Sequence, residues 1–241
     1  MKLLDDILNS LDFNARAYDI RQGVFHTGLL SRRCGLASTL AHQSCPGAHP
    51  HTAKPGYLLA KSMRELAEMA YSDSTLEAAV GMAAINSLVE SDGYGCIEVN
   101  AADVLAEKGK DRNVAIIGHF PFVPSLRERV GKLWVIEKNQ RPGDLAEQET
   151  KNVLPLADVV GITGTAITNH TIEHLLELCR KDAYVLMLGD TTPMLSILFD
   201  HGIDAVCGVM VTDPQLALDC VSQGATFRQI RGITLLTMFK N

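Results

Sequence analysis

No apolar run in the sequence reaches the ~18 residues that a membrane-spanning helix needs, so a bilayer is not the expected setting. A basic cluster is also missing. The formal net charge is -6, and the nearest candidate for a basic patch is the pair Arg32-Arg33. Phosphate binding requires clustered positive charge, so nucleic acid is not an expected partner. The six cysteines, Cys34, Cys45, Cys96, Cys179, Cys207 and Cys220, form no CxxC pair, and several fall inside apolar patterns. Buried, reduced thiols are the expectation. There is no internal repeat and no low-complexity tract. The opening Met1-Lys2-Leu3-Leu4-Asp5-Asp6 turns acidic before any long apolar run, unlike a signal peptide, and a cytoplasmic protein is expected.

What is present is ordinary for an ordered protein. Apolar residues make up 46% and charged residues 21%, enough to bury a core and too few charges for disorder. A length of 241 residues allows one large domain or two modest ones.

Leu3, Leu4, Ile7, Leu8 and Leu11 repeat at helical spacing and predict an amphipathic first helix. Residues 17–30 and 33–41 read as two strands with Ser31-Arg32 as the turn. Residues 42–56 read as a loop. Helices follow at 62–70 and 74–89, the second apolar nearly all round and so buried on more than one side. Residues 100–108 read as a connecting helix. Apolar strands then recur at 114–117, 133–136, 159–162, 184–188 and 205–211 with helical segments between them. That alternation predicts a parallel sheet covered on both faces. Thr192-Pro193 and Asp213-Pro214 read as helix starts, Gly131, Gly202 and Gly224 as helix ends. A last strand at 233–239 is expected to close one edge. The fold class is therefore α/β: an α+β unit over residues 1–98, then a mostly parallel α/β unit over residues 99–241.

Ligands of open α/β sheets bind beyond the carboxyl ends of the strands, which selects the residues to inspect. After the first parallel strand comes Gly118-His119-Phe120-Pro121. A dinucleotide site needs G-x-G-x-x-G there, and only Gly118 is present. His119 reads as a ligand, a base or a plain loop histidine. Glu137 stands where such folds hold a ribose hydroxyl, or is a surface carboxylate. The segment Arg141-Pro142-Gly143-Asp144 reads as a loop able to cover the pocket. Thr163, Gly164, Thr165 and Asn169 collect polar groups at a helix start, which suits an anion or simple capping. Asp190, Thr191 and Thr192 form a second polar helix start, with Asp190 able to accept hydrogen bonds or ligate a hard metal. Asn86, inside an apolar helix, either ties two elements together or points into a cleft. His42, Cys45, His49 and His51 form an H-x2-C-x3-H-x-H series that suits zinc, copper or nickel but matches no standard finger.

Taken in order, residues 81–86 (GMAAIN), Gly118-His119-Phe120-Pro121, Glu137, Arg141-Pro142-Gly143-Asp144, 154–159 (LPLADV), Thr163-Gly164-Thr165, Asn169-His170-Thr171, 189–193 and 208–213 resemble the putative heavy-metal chelation family over nearly the whole chain. The resemblance implies an enolase-N-terminal-like domain followed by a Rossmann-like domain, with the site in the cleft between them. It places site residues at Asn86, His119, Phe120, Glu137, Thr163, Asn169 and Thr192. One departure is Gly189-Asp190-Thr191, where the family reads glycine-proline-serine. The added carboxylate makes that end of the pocket less suited to an anion.

Three functional readings follow. In the first, a small molecule or metal complex binds in the cleft, with His119, Glu137 and Asp190 as ionisable groups. Asn86, Gly118, Phe120, Thr163, Gly164, Thr165, Asn169, Thr191 and Thr192 orient it. In the second, an enzyme uses S-adenosylmethionine or a dinucleotide. In the third, a metal carrier or sensor holds a transition-metal ion on His42, Cys45, His49 and His51. A symmetric homodimer is the expected assembly.

Overall fold

The computed structural model describes residues 1–40, 51–90 and 95–241. The chain opens with α1 (Lys2–Asn9), which buries Leu3, Leu4, Ile7 and Leu8 on one face. Next comes an antiparallel meander of β1 (Asp19–Gln22), β2 (His26–Leu30) and β3 (Cys34–Ser38). The run 17–30 is therefore not one strand. It folds into a hairpin around Gly23, whose N–H is bonded to the His26 carbonyl at 2.8 Å.

Two helices follow, the second packed on this small sheet and the first packed on the second. Ser62 caps α2 (Met63–Glu68) through a reciprocal bond with Glu65. The longer α3 (Thr75–Leu88) is buried on nearly every side, as its unbroken apolar sequence predicts. It lies hard against β3. A methyl group at Gly35 would sit 2.2 Å from the Ala83 carbonyl oxygen, so only glycine permits the contact.

The rest of the chain builds a seven-stranded sheet. In chain order its elements are β4 (Cys96–Ile97), α4 (Ala101–Lys108), β5 (Asn113–Ile117), α5 (Val123–Arg127), β6 (Lys132–Ile136), α6 (Thr150–Val153) and β7 (Val159–Thr163). There follow α7 (Thr165–Thr168), α8 (Ile172–Leu178), β8 (Tyr184–Leu188), β9 (Ala205–Val211), α9 (Pro214–Ser222) and β10 (Ile233–Phe239). The spatial order is β4-β10-β9-β8-β7-β5-β6. Strands β5 to β9 run parallel, and β10 pairs antiparallel with both β9 and β4. The architecture is thus mixed α/β, a mostly parallel sheet beside a small antiparallel one. Strand β10 does not close the edge, because the two-residue β4 lies outside it.

Alternating side chains of the parallel strands enter two cores. Ile116, Val135 and Leu186 pack with Leu105 of α4 and Leu126 of α5. On the opposite face Val160, Ile162, Val185 and Met187 join Leu3, Ile7, Met82 and Ile85 in one continuous cluster. Each of these fully buried large side chains contributes about 1.5–3 kcal/mol to the apolar term. Among the described residues no helix is long and apolar enough to cross a membrane.

The helix punctuation holds in part. Asp213 caps α9 by accepting from the Leu216 N–H at 3.1 Å. Gly202 and Gly224 end their elements with φ of 83° and 73°. Gly131 does not take the left-handed conformation. Thr192-Pro193 starts no helix. The chain has no regular structure until a 3₁₀ segment at Ser196–His201.

Candidate functional site

Among the parallel strands, the chain leaves β5 for β6 on one side and then crosses to β7 on the other. The loops after β5 and β7 therefore diverge, which opens a crevice at the carboxyl ends of these two strands. A cavity of about 260 Å³ lies there. Its wall includes Gly118, His119, Phe120, Glu137, Thr163, Thr165 and Asn169. Seven of the residues selected from sequence thus meet in one place. Ser38 and Leu40 contribute a wall from the small sheet.

Gly118 turns the chain out of β5 with φ of 101°, a conformation that favours glycine. This directs His119 toward the loop that follows β6. That loop does not cover the cavity. It returns along its own strand, with Leu145 bonded to Val135 at 2.7 Å and Glu137 to Leu145 at 3.0 Å. The return delivers Asp144 to His119, whose Nδ1 lies 2.8 Å from Asp144 Oδ2 and 3.1 Å from Oδ1. The Asp144 side chain is only 2% exposed. A carboxylate can only accept, so Nδ1 carries the proton and Nε2 is left as the basic ring nitrogen. Asp144 was missed in the sequence as a working residue. Its signal was Gly143, with φ of 92°, which makes the turn that aims it.

Glu137 serves the same scaffold. One carboxylate oxygen accepts from the His119 N–H at 2.9 Å, the other from the Asn139 N–H at 3.1 Å. It braces both loops. Lys138 and Glu147, also on the wall, pair with each other at 3.3 Å.

The polar run after β7 does not sit at the start of one long helix. It straddles the single turn α7, breaks at His170 with φ of 59°, and continues into α8. The two hydroxyls of Thr163 and Thr165 lie 3.0 Å apart. Thr171 donates to the Asn169 side-chain oxygen at 2.7 Å. His170 leaves the cavity and donates through Nε2 to the Ala70 carbonyl at 2.9 Å. Gly164 is packed beneath the next loop: a methyl group there would lie 2.6 Å from both the backbone nitrogen and the hydroxyl of Thr192.

The loop after β8 points elsewhere. Asp190 is buried and bonded to the small sheet, with Oδ2 2.6 Å from His26 Nδ1 and Oδ1 accepting from the Ser38 hydroxyl at 2.7 Å. Thr191 accepts from the Ser38 N–H at 2.9 Å. Asn86 donates to the Leu36 carbonyl at 2.8 Å and to those of Thr191 and Asp190 at 3.2 and 3.3 Å. It ties α3 to β3 and to the β8 loop. These contacts fasten the β8 loop to β2, β3 and α3, and none of Asp190, Thr191 and Asn86 lines the His119 cavity. Asn86 and Thr192 instead face a second cavity of about 300 Å³, shared with Cys34, Met194 and Met238. The side-chain oxygens of Asn86 and Thr192 are buried and have no hydrogen-bond partner among the described residues.

His42, Cys45 and His49 lie outside the described residues, and His51 is exposed. Among the described residues no group of three His, Cys, Asp or Glu side chains could hold a metal ion. The described wall of the His119 cavity, with its single imidazole, does not fit a chelated metal. Of the cysteines, Cys34 and Cys207 are buried, Cys179 and Cys220 half-buried, and Cys96 exposed. Burial, with Asp19 nearby, pushes the Cys34 thiol up to about 12. Burial also lifts Cys179 and Cys207 to about 11. All three are protonated at neutral pH.

Fold and site define an α/β protein with a histidine-bearing cavity at the switch point of a parallel sheet. Residues 100–240 match a family model described as putative heavy-metal chelation, and residues 4–89 match a second model with the same description. The chain belongs to the putative heavy-metal chelation family. An uncharacterized protein of Methanocaldococcus jannaschii is 26% identical over 193 residues, 76% of this chain and 72% of that one. A crystal structure of a family protein of unknown function from Desulfitobacterium hafniense superposes with a TM-score of 0.87 at 25% identity, covering 99% of this chain and 98% of that one. Another, from Pyrococcus horikoshii, gives a TM-score of 0.83 at 20% identity over 99% and 100% of the two chains, and shows the same fold.

Proposed function

We propose that this protein binds an uncharged, hydroxyl- or carbonyl-bearing small molecule in the cavity at the β5/β7 crevice, and that His119 exchanges a proton with it. The observation that carries this reading is the His119–Asp144 pair. A buried carboxylate fixes the ring and its tautomer, so that the basic Nε2 serves the cavity. Thr163, Thr165 and Asn169 supply hydroxyl and amide groups to orient the molecule, and Phe120 a flat apolar wall. Among the described residues of the wall the only lysine, Lys138, is paired with Glu147, which disfavours a polyanion such as a pyrophosphate. In this reading residues 1–98 are the enolase-N-terminal-like unit and residues 99–241 the Rossmann-like unit, and Ser38 and Leu40 close the cavity from the first.

The test is a thermal-shift screen of small hydroxy, keto and amide compounds against wild-type protein, His119→Gln and Thr165→Val. The reading expects compounds that raise the melting temperature of wild type and fail to raise that of both variants. A screen in which every hit stabilises all three proteins equally would refute it.

A further inference from the structure

The second cavity has a chemistry that the first does not. Strand register sets it. Met238 of β10 stands opposite Cys96 of β4, so their side chains leave the sheet on the same face. Leu236 stands opposite Gly208 of β9, two residues along from Met238 and Met210, so Gly208 belongs to that face as well. A methyl group at Gly208 would lie 2.6 Å from Met194 Sδ. The absent side chain is thus the space in which the Met194 thioether rests. Cys34 closes the cavity from β3. Five sulfur side chains from four strands and one loop therefore line a space of about 300 Å³.

We infer that this cavity is a binding site for a soft monovalent cation, copper(I) or silver(I), held by sulfur, with Cys34, Met194 and Met238 as its inner donors. Thioether and thiolate ligands select such ions over zinc, nickel or magnesium. Methionine is not counted among the usual hard and borderline ligands, so the absence of a His, Cys, Asp or Glu triad among the described residues does not bear on this site. Two of the inner donors are shielded, Met238 at 1% and Cys34 at 6% exposed, and Met194 is half-buried. At the mouth the Arg33 guanidinium lies 3.9 Å from Met210 Sδ. Its charge opposes a bare cation, whereas the Cys34 thiolate cancels the charge of the incoming ion. The Cys34 thiol binds as thiolate, the form of cysteine that ligates metal. Its proton leaves to solvent as the metal–sulfur bond forms, with no change of oxidation state.

The test is an anaerobic titration of untagged, full-length protein with silver(I), and with copper(I) against a competing chelator. The expected result is one ion per chain, about one proton released in weakly buffered solution, and sulfur-only coordination by X-ray absorption. Cys34→Ala and Met194→Leu should each weaken binding at least tenfold while circular dichroism shows an unchanged fold. His119→Ala should bind silver as wild type does, which separates this site from the first cavity. Nitrogen or oxygen donors in the absorption spectrum of the wild-type complex would overturn the inference. So would unchanged affinity in both folded variants, or loss of the ion on Cys45→Ala or Cys220→Ala instead.

Discussion

Asp144 and His119 stand 25 residues apart in sequence and 2.8 Å apart in space, joined carboxylate to imidazole at the rim of the strand-switch crevice. The loop between them makes the pair by folding back along β6. Asp144 also accepts from the Arg141 N–H at 3.0 Å, so one side chain both shapes the loop and sets the ring.

Replacing Asp144 by Asn separates those two roles. An amide keeps the shape but can donate to Nδ1, which frees the ring to adopt the other tautomer. Nitrogen-15 spectra of Asp144→Asn should show His119 losing its single Nδ1–H tautomer. Urea unfolding should show a loss of about 1–3 kcal/mol, the range for a buried charge-assisted bond. An unchanged tautomer would mean that Asp144 does not set it.

Much of this pair was hidden in the sequence, for a physical reason. Parallel strands buried on two faces write themselves as short apolar runs, and β5 to β9 fall within a residue or two of where those runs stand. A two-residue strand such as β4 has no such signature, because only its pairing with β10 defines it. The hairpin at Gly23 was masked by strand-forming residues on both sides. Seven residues of the His119 cavity were legible because they follow strand ends. The part played by Asp190 was not, since its partner His26 lies 164 residues away. The order of the strands, which decides where the crevice opens, is likewise a property of pairing and of no single segment.

The Asp190–His26 contact should be costly to break. Both side chains are 6% exposed, and removal of the imidazole leaves a carboxylate in the interior with fewer donors. His26→Ala should lose about 3–5 kcal/mol. Asp190→Asn combined with His26→Ala should recover part of that loss, because the stranded charge is gone. A double variant as unstable as the sum of the single ones would show no coupling between the two groups.

Gly164→Ala tests the packing of the β7 loop under the β8 loop. The new methyl group meets the Thr192 backbone at 2.6 Å, so one loop must move. The expected cost is about 1–3 kcal/mol by overpacking, read as a lower denaturation midpoint. A fully native midpoint would mean that the two loops are not in contact in solution.

The buried thiols predict an alkaline limit. Thiols of the unfolded chain ionise near 9, whereas Cys34 holds its proton to about 12 and Cys179 and Cys207 to about 11. Between these values the unfolded state binds fewer protons than the native one. Stability should therefore be level below about pH 9 and fall as pH rises toward 11. Denaturant midpoints measured from pH 7 to 10.5 check this, and Cys34→Ala should flatten the decline. Midpoints that stay level in wild type across that range would contradict the burial of these groups.

The most direct test of the central claim is a crystallographic fragment screen on untagged protein, with small hydroxy, keto and amide compounds. The expected result is electron density in the cavity of Gly118, Thr163, Thr165 and Asn169, with a ligand oxygen or nitrogen within hydrogen-bond distance of His119 Nε2, and loss of that density in His119→Gln crystals. Fragments that bind only elsewhere, or that occupy the cavity equally in wild type and His119→Gln, would contradict it.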